Sequence, residues 1–401
     1  MRAARAAAGE LAGPGLAAVE LMIRRFSRVL ACALLALAAS ACHKAPRTGL
    51  DFAGEFPERL SEWRLLEQRD GQLVPNAGVT PYDLNSPLFS DYAHKLRTIV
   101  LPQGTSVRYG DDAFEFPVGT VISKTFYYPR GGEGTAGRIA VRKVLAQSED
   151  PALDLAQVRL LETRLLINTA SGWVAIPYVW NAEQTEATLA LAGDVLSLEL
   201  VTDEGRQPFP YLVPDSNQCA GCHVLEHHSQ RIEPIGIRAR HLNKSYSYQG
   251  GSENQLLHWQ KTGLLTGAPE PAQAPRNARW DDPDDGDLEA RARAYLDVNC
   301  GHCHRPRGAA STSGLLLHAQ ETDRVRLGAC KIPIATGRGS GDALFDIVPG
   351  APDQSILLHR MLSTEADVAM PELGRSLVHA EGVGLIGDWI ASLGGGCPAP
   401  R

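Results

Sequence analysis

Two five-residue stretches constrain this chain more than anything else in its 401 residues: Cys219-Ala220-Gly221-Cys222-His223 and Cys300-Gly301-His302-Cys303-His304. Each sets two thiols three positions apart with an imidazole directly after the second, the C-x-x-C-H spacing of haem attachment. The chemistry dictates the order. Two thiols bond to the two vinyl groups of the porphyrin, and the adjacent His swings under the ring to take the iron. A single match arises by chance more readily than two, and covalent haem is attached outside the cytoplasm. Two other readings compete. A zinc site takes two Cys pairs, or a pair and two His, in a compact segment. The pairs here lie 78 residues apart, although His227 and His228 are close enough in sequence to complete a site at the first motif. A thioredoxin-like pair belongs in a βαβ unit, and neither pair has that setting.

The N-terminal segment carries an export pattern. Met22-Ile23-Arg24-Arg25-Phe26-Ser27-Arg28 is basic, Val29 to Ala39 is apolar, and small residues lead into Cys42. This is the order of a secretory signal over residues 1–41, and a Cys after the small residues resembles a lipobox, with Cys42 as the lipidated residue. Position 39 is Ala where Leu is commoner, and an ordinary cleaved signal is the competing reading. The apolar run is too short to cross the roughly 30 Å hydrocarbon layer. Residues 1–21 have no signal character and read as a gene-model extension ahead of a start at Met22. Losing residues 1–41 takes five Arg and two Glu from a chain of net charge −7, leaving −10. An acidic chain of this kind is a poor partner for nucleic acid or anionic lipid; small basic redox proteins are better candidates.

Six of the eight Cys lie beyond residue 42, and four of these sit in the two motifs. Cys330 and Cys397 remain, in an oxidising compartment with no other partner. The expectation is a disulfide, with free buried thiols as the alternative.

At 44% hydrophobic and 21% charged, the chain buries two or three cores. Residues 43–210 alternate in short runs, Val118 to Tyr128, Ile139 to Leu145, Val158 to Ile167, Trp173 to Trp180 and Leu196 to Val201, with Gly- and Pro-rich breaks between them. That pattern predicts an all-β sandwich or open barrel. Residues 211–265 hold the first motif and a helix over 253–264, and 266–287 read as a linker. Its acidic run fails the EF-hand pattern because Pro283 occupies the third ligand position, so Asp287 is a helix N-cap. In residues 288–395, Leu288, Ala292, Tyr295 and Leu296 mark a helix running into the second motif, and Val383, Ile386, Ile390 and Leu393 mark a closing helix. A helix before the haem motif and another at the end resemble class I cytochrome c. That resemblance implies a multidomain chain ending in an all-α domain, with Met370 of Ala369-Met370-Pro371 as sixth iron ligand and Met361 as runner-up. His/Met ligation raises the haem potential.

The first motif has no comparable methionine nearby. Its sixth position is either open or filled by His227, His228, His241 or His258, each more often a packing or surface residue than a ligand.

Longer stretches carry a resemblance over residues 50 to 393. They are Pro81-Tyr82-Asp83-Leu84-Asn85-Ser86-Pro87-Leu88, Phe116 to Phe126, Glu162 to Leu166, Pro234-Ile235-Gly236, Tyr295 to Asn299, and Val348-Pro349-Gly350 through Arg375. The chain is similar to an uncharacterised family of exported bacterial dihaem c-type cytochromes. The resemblance implies two covalent haem c groups, a periplasmic or outer-membrane lipoprotein, and frequent pairing with an exported parallel β-helix protein. Gly119 to Phe126, Trp173 and Cys219 to His223 are similar to cytochrome P460-type domains, which hold an open-sided haem in a β fold. Lys124 and Lys143 are the lysines available for that family's haem cross-link. Three functions follow: a dihaem electron carrier, a peroxidase- or P460-like oxidoreductase acting at an open first haem, and an adhesion lipoprotein that grips its partner through the β domain.

Overall fold

The computed structural model describes residues 55–144 and 152–398, so the signal segment and Cys42 lie outside the described residues. Three of the alternating runs pair as antiparallel strands in one six-stranded sheet. Its order is Ala187–Leu189, Gly172–Trp180, Val158–Thr169, Val121–Pro129, His94–Val100 and Thr80–Tyr82. Strands Gly205–Val213 and Asp194–Thr202 form a long hairpin, to which Ile139–Val141 adds in parallel. A third sheet joins Leu66–Arg69, Gln72–Pro75 and Leu153–Asp154, and two further sheets have two strands each.

Side chains alternate across the large sheet, so its two faces bury different partners. On one face Leu96, Leu165, Ile176 and Tyr178 pack against Leu60, Trp63 and Leu73 of the N-terminal hairpin. Trp63 Nε1 donates to Tyr178 Oη at 2.7 Å across that contact. The other face has two apolar ends. Ile99 and Ile122 pack on Leu242, Leu256 and Trp259, whereas Phe126 and Tyr128 pack on Leu198, Leu200 and Phe209 of the long hairpin. Each of these side chains contributes about 1.5–3 kcal/mol by leaving water. Between the two apolar ends the sheet presents charged residues.

The expected division into a β-rich domain and an all-α C-terminal domain is not what the chain adopts. Strand residues outnumber helical ones, 28% to 19%, with six α-helices among the described residues. Only three lie beyond residue 287: Leu288–Asn299, Ile356–Leu362 and Ala380–Ser392. The expectation came from helix periodicity at the two ends of this segment. The stretch between them holds its shape by backbone bonds from turns instead, such as Leu317 N to His304 O at 2.8 Å and Cys330 N to Ile347 O at 2.9 Å. The segment is also stitched to the sheets. Phe89 N donates to Asn299 Oδ1 (2.9 Å), and Ser376 N and Leu377 N both donate to Asp91 Oδ1 (2.7 Å each). The described residues cluster as one unit.

The two end helices do cross. Gly382 allows it, because a Cβ there would meet the Tyr295 ring at 2.3–2.6 Å. The crossing is tied by a hydrogen bond from Trp389 Nε1 to the Glu289 carboxylate.

Cys330 and Cys397 are disulfide-bonded across 67 residues, with Cα atoms 5.2 Å apart. Cross-linking a loop of this length restricts the unfolded chain by about 4 kcal/mol on the chain-entropy estimate. Cys330→Ser with Cys397→Ser is therefore expected to lower unfolding free energy in urea by about 2–4 kcal/mol. An unchanged midpoint would mean the bond adds nothing.

Candidate functional site

The first motif occupies the helix Ser216–His223, entered from the long hairpin. Asp215 caps it, accepting from Asn217 N and Gln218 N, while the Gln218 side chain returns to Asp215 N at 3.0 Å. This reciprocal cap ties down three N–H groups and fixes where the helix starts. It thereby aims Cys219, Cys222 and His223 off a single short turn. His223 Nδ1 lies 2.8 Å from Glu233 O. A carbonyl only accepts, so the proton sits on Nδ1 and Nε2 keeps its lone pair. Burial, and next the Lys124 ammonium, push this imidazole down to about 3, which keeps it neutral.

The second motif uses the same device. Cys300 ends the helix Leu288–Asn299, and His304 Nδ1 lies 3.1 Å from Leu315 O, again leaving Nε2 free. Burial raises all four motif thiols, Cys300 and Cys303 to about 12. Such thiols stay protonated at neutral pH and are unsuited to thiolate redox or nucleophilic chemistry.

Each motif opens onto its own cavity. The first lies against the large sheet and holds about 180 Å³ of space for water-sized molecules; the second, which Met370 lines, holds about 410 Å³. Apolar walls dominate in each, with Ile122, Phe126, Leu166 and Ile237 in the first and Leu317, Ile334, Leu357 and Met361 in the second. A covalently held haem needs paired thiols, an imidazole with a free nitrogen and apolar walls beside them. The residues at both motifs fit that group.

The motifs also touch. Cys303 Sγ is 3.6 Å from Gly221 O, His227 N donates to Arg307 O at 2.8 Å, and Cys222 lines both cavities. Gly221 lies close to Leu373 at this junction: a Cβ would come within 2.9 Å of Leu373 Cδ1, the free end of an exposed side chain. Leu373 belongs to the loop that carries Met370.

Met370 lines the second cavity with His304. Arg375 holds its loop, donating through Nη2 to the carbonyls of Ser363 (2.8 Å), Met370 (2.9 Å) and Arg360 (3.1 Å). Met361 also lines this cavity but is committed to the apolar core.

Of the histidines singled out for the first motif, only His241 lines the first cavity. His227 and His228 lie beside each other with rings 6.0 Å apart, and His258 stacks on Tyr248 and meets Glu253 at 3.1 Å. His302 and His318 line the cavity instead. Sequence reading passed over His302 as a spacer within the second motif, although an imidazole inside C-x-x-C was the available signal. Of the two lysines, Lys124 faces the first cavity. Lys143 sits over the Tyr92 ring at 4.0 Å and pairs with Glu381. Among the described residues no group of three or more His, Cys, Asp or Glu is arranged to hold a metal ion.

Comparison with protein-family models, with curated proteins and with solved structures finds no match to this chain.

Proposed function

We propose that the chain is an exported c-type cytochrome with two covalent haems, whose main work is electron transfer. Cys219, Cys222 and His223 would hold one haem, and Cys300, Cys303 and His304 the other, with Met370 as sixth ligand of the second. The observation that carries this reading is the contact of the two motifs. Residues 82 apart in sequence meet at Cys303 Sγ and Gly221 O, so groups bonded to these cysteines would be neighbours. When bound, each haem supplies a one-electron Fe(III)/Fe(II) couple.

The protein's own residues orient and insulate. The carbonyls of Glu233 and Leu315 set the tautomer and direction of the two imidazoles, as outer partners of metal-binding histidines do. Apolar walls exclude water, and Arg375 steadies the Met370 loop. Lipid attachment at Cys42 would place the protein in the periplasm or on the outer membrane. Its partners would be a redox protein and an exported parallel β-helix protein.

A second reading, a haem oxidoreductase, gains support from the first cavity. Neither Met361 nor Met370 lines it, and its walls are strongly cationic.

Met370→Leu tests the assignment. One haem is expected to lose a low-spin ferric signature and drop in potential by at least about 60 mV, the tenfold step of a one-electron couple. The other haem should be unaffected. Two unaltered haems would remove Met370 from the ligand set.

A further inference from the structure

The face of the large sheet toward the first cavity holds an unusual row. Register places Arg97 opposite Lys124 and Lys124 opposite Arg164, so three cations lie side by side on three adjacent strands. Like charges directly opposite in a sheet destabilise it, and burial makes this worse. Lys95, two residues before Arg97 on the same strand, shares the face. Lys95, Lys124 and Arg164 all sit over one ring, Phe126, at 5.7, 5.1 and 4.3 Å from its centre.

The outer members of the row are neutralised. Arg97 pairs with Asp83 at 2.7 Å, and Arg164 makes two bonds to Glu162, Nε at 2.8 Å and Nη2 at 2.5 Å. Lys95 spends its ammonium on the carbonyls of Leu88 and Ala93. Lys124, in the centre, has neither a hydrogen bond nor an ion pair among the described residues. Eight Lys and Arg side chains line the cavity with one carboxylate, Asp297, which Arg240 engages at 2.8 Å; Asp112, just outside the lining, pairs with Arg238, Arg240 and Arg305.

We infer that Lys124, flanked by Arg97 and Arg164, is an anion-binding site that takes an oxyanion on the floor of the first cavity. A paired anion converts the like-charge row from a cost into a set of charge-assisted hydrogen bonds. Consistent with this, burial, then the fields of Arg164 and Arg97, pull the Lys124 ammonium down to about 7. A nearby anion would restore its charge.

One chemistry has two sources here: a carboxylate of the haem itself, which rests on the reading above, or a small oxoanion from solution. Sulfate titrated calorimetrically into the matured protein separates them, alongside the pH dependence of each haem potential, in wild type, Lys124→Gln and Lys124→Arg. Sulfate binding that weakens at least tenfold in Lys124→Gln and survives in Lys124→Arg assigns the site to a solute anion. No sulfate binding, but a pH dependence that moves up by about one unit at one haem in Lys124→Gln, assigns it to a haem carboxylate, whose tenfold gain in proton affinity is that unit. Silence in both arms, in folded protein that carries both haems, overturns the inference and leaves the haem reading standing. Protein without covalent haem sinks that reading, while the sulfate arm still tests the row. Where the anion is a solute, Lys124→Gln removes a charge that sulfate-free buffer leaves unpaired, so its thermal midpoint there should not fall below wild type.

Discussion

Serine at both Cys219 and Cys222 is expected to remove one covalent haem and leave the other, halving haem absorbance per polypeptide. Serine at Cys300 and Cys303 should remove the complementary half. Both thiols must change, because one remaining thioether still tethers the ring. The two losses are expected to be separable because each motif faces its own cavity and orients its histidine by its own carbonyl, Glu233 O or Leu315 O. They are not expected to be silent toward each other. Cys222 lines both cavities and Cys303 Sγ touches Gly221, so the haem that stays should shift in potential when its neighbour goes. Loss of both haems from either double variant would mean that one site folds only on the other. Retention of both would remove these cysteines from haem attachment. Absorbance after acid–acetone extraction, which strips non-covalent haem, distinguishes the three outcomes.

Asp297→Leu is expected to cost about 3–5 kcal/mol of stability, the range for stranding a buried charge. The residue lies three positions before Cys300 on its helix, and its side chain is 2% exposed. Its carboxylate accepts from Arg240 Nε (2.8 Å) and Nη2 (3.2 Å), Asn277 Nδ2 (3.0 Å) and Ala319 N (2.9 Å), with His241 Nε2 at 3.5 Å. Removing it leaves the Arg240 guanidinium with only Asp112, at 3.4 Å. The same cluster sets a pH dependence. Burial alone would raise the Asp297 carboxyl, but His241 and Arg240 outweigh it and hold the group far below the usual carboxylate range. Burial pushes His241 down to about 4. Both folded-state values lie below the unfolded ones, so the unfolded chain binds more protons in acid. Stability contributed by His241 is complete above pH 6.5 and falls as pH drops toward about 4; that of Asp297 is complete above the ordinary carboxylate pKa and is lost below it. Urea midpoints measured from pH 7 to pH 4 should fall in wild type and fall less in His241→Gln, which lacks the group that titrates in that window. A flat wild-type profile would contradict the cluster's role.

Local signals in the chain were legible. Asp287 caps its helix as expected, accepting from Ala290 N at 2.7 Å; four of the alternating runs became strands within three residues of their expected ends, while Ile139 to Leu145 is a strand only over Ile139–Val141, with Leu145 outside the described residues. The disulfide followed from elimination among the cysteines and is present. What escaped the sequence depends on register and on long-range packing. Arg97, Lys124 and Arg164 read as three unrelated basic residues until strand pairing sets them in a row. The meeting of Cys303 with Gly221 depends on how turns between helices route the chain, and those turns have no period to read. The same turns defeated the expectation of an all-α C-terminal domain. Helix periodicity at 288–299 and 380–392 was real, but it describes the ends of a segment whose middle is tied to the sheets through Asp91 and Asn299.

Intact-mass spectrometry of denatured protein, expressed in a host that matures c-type haem, addresses the central claim most directly. Two haem masses bonded to each polypeptide, mapped by peptide digestion to 219–223 and 300–304, are the expected result. A polypeptide of bare mass, with four free motif thiols, would contradict it.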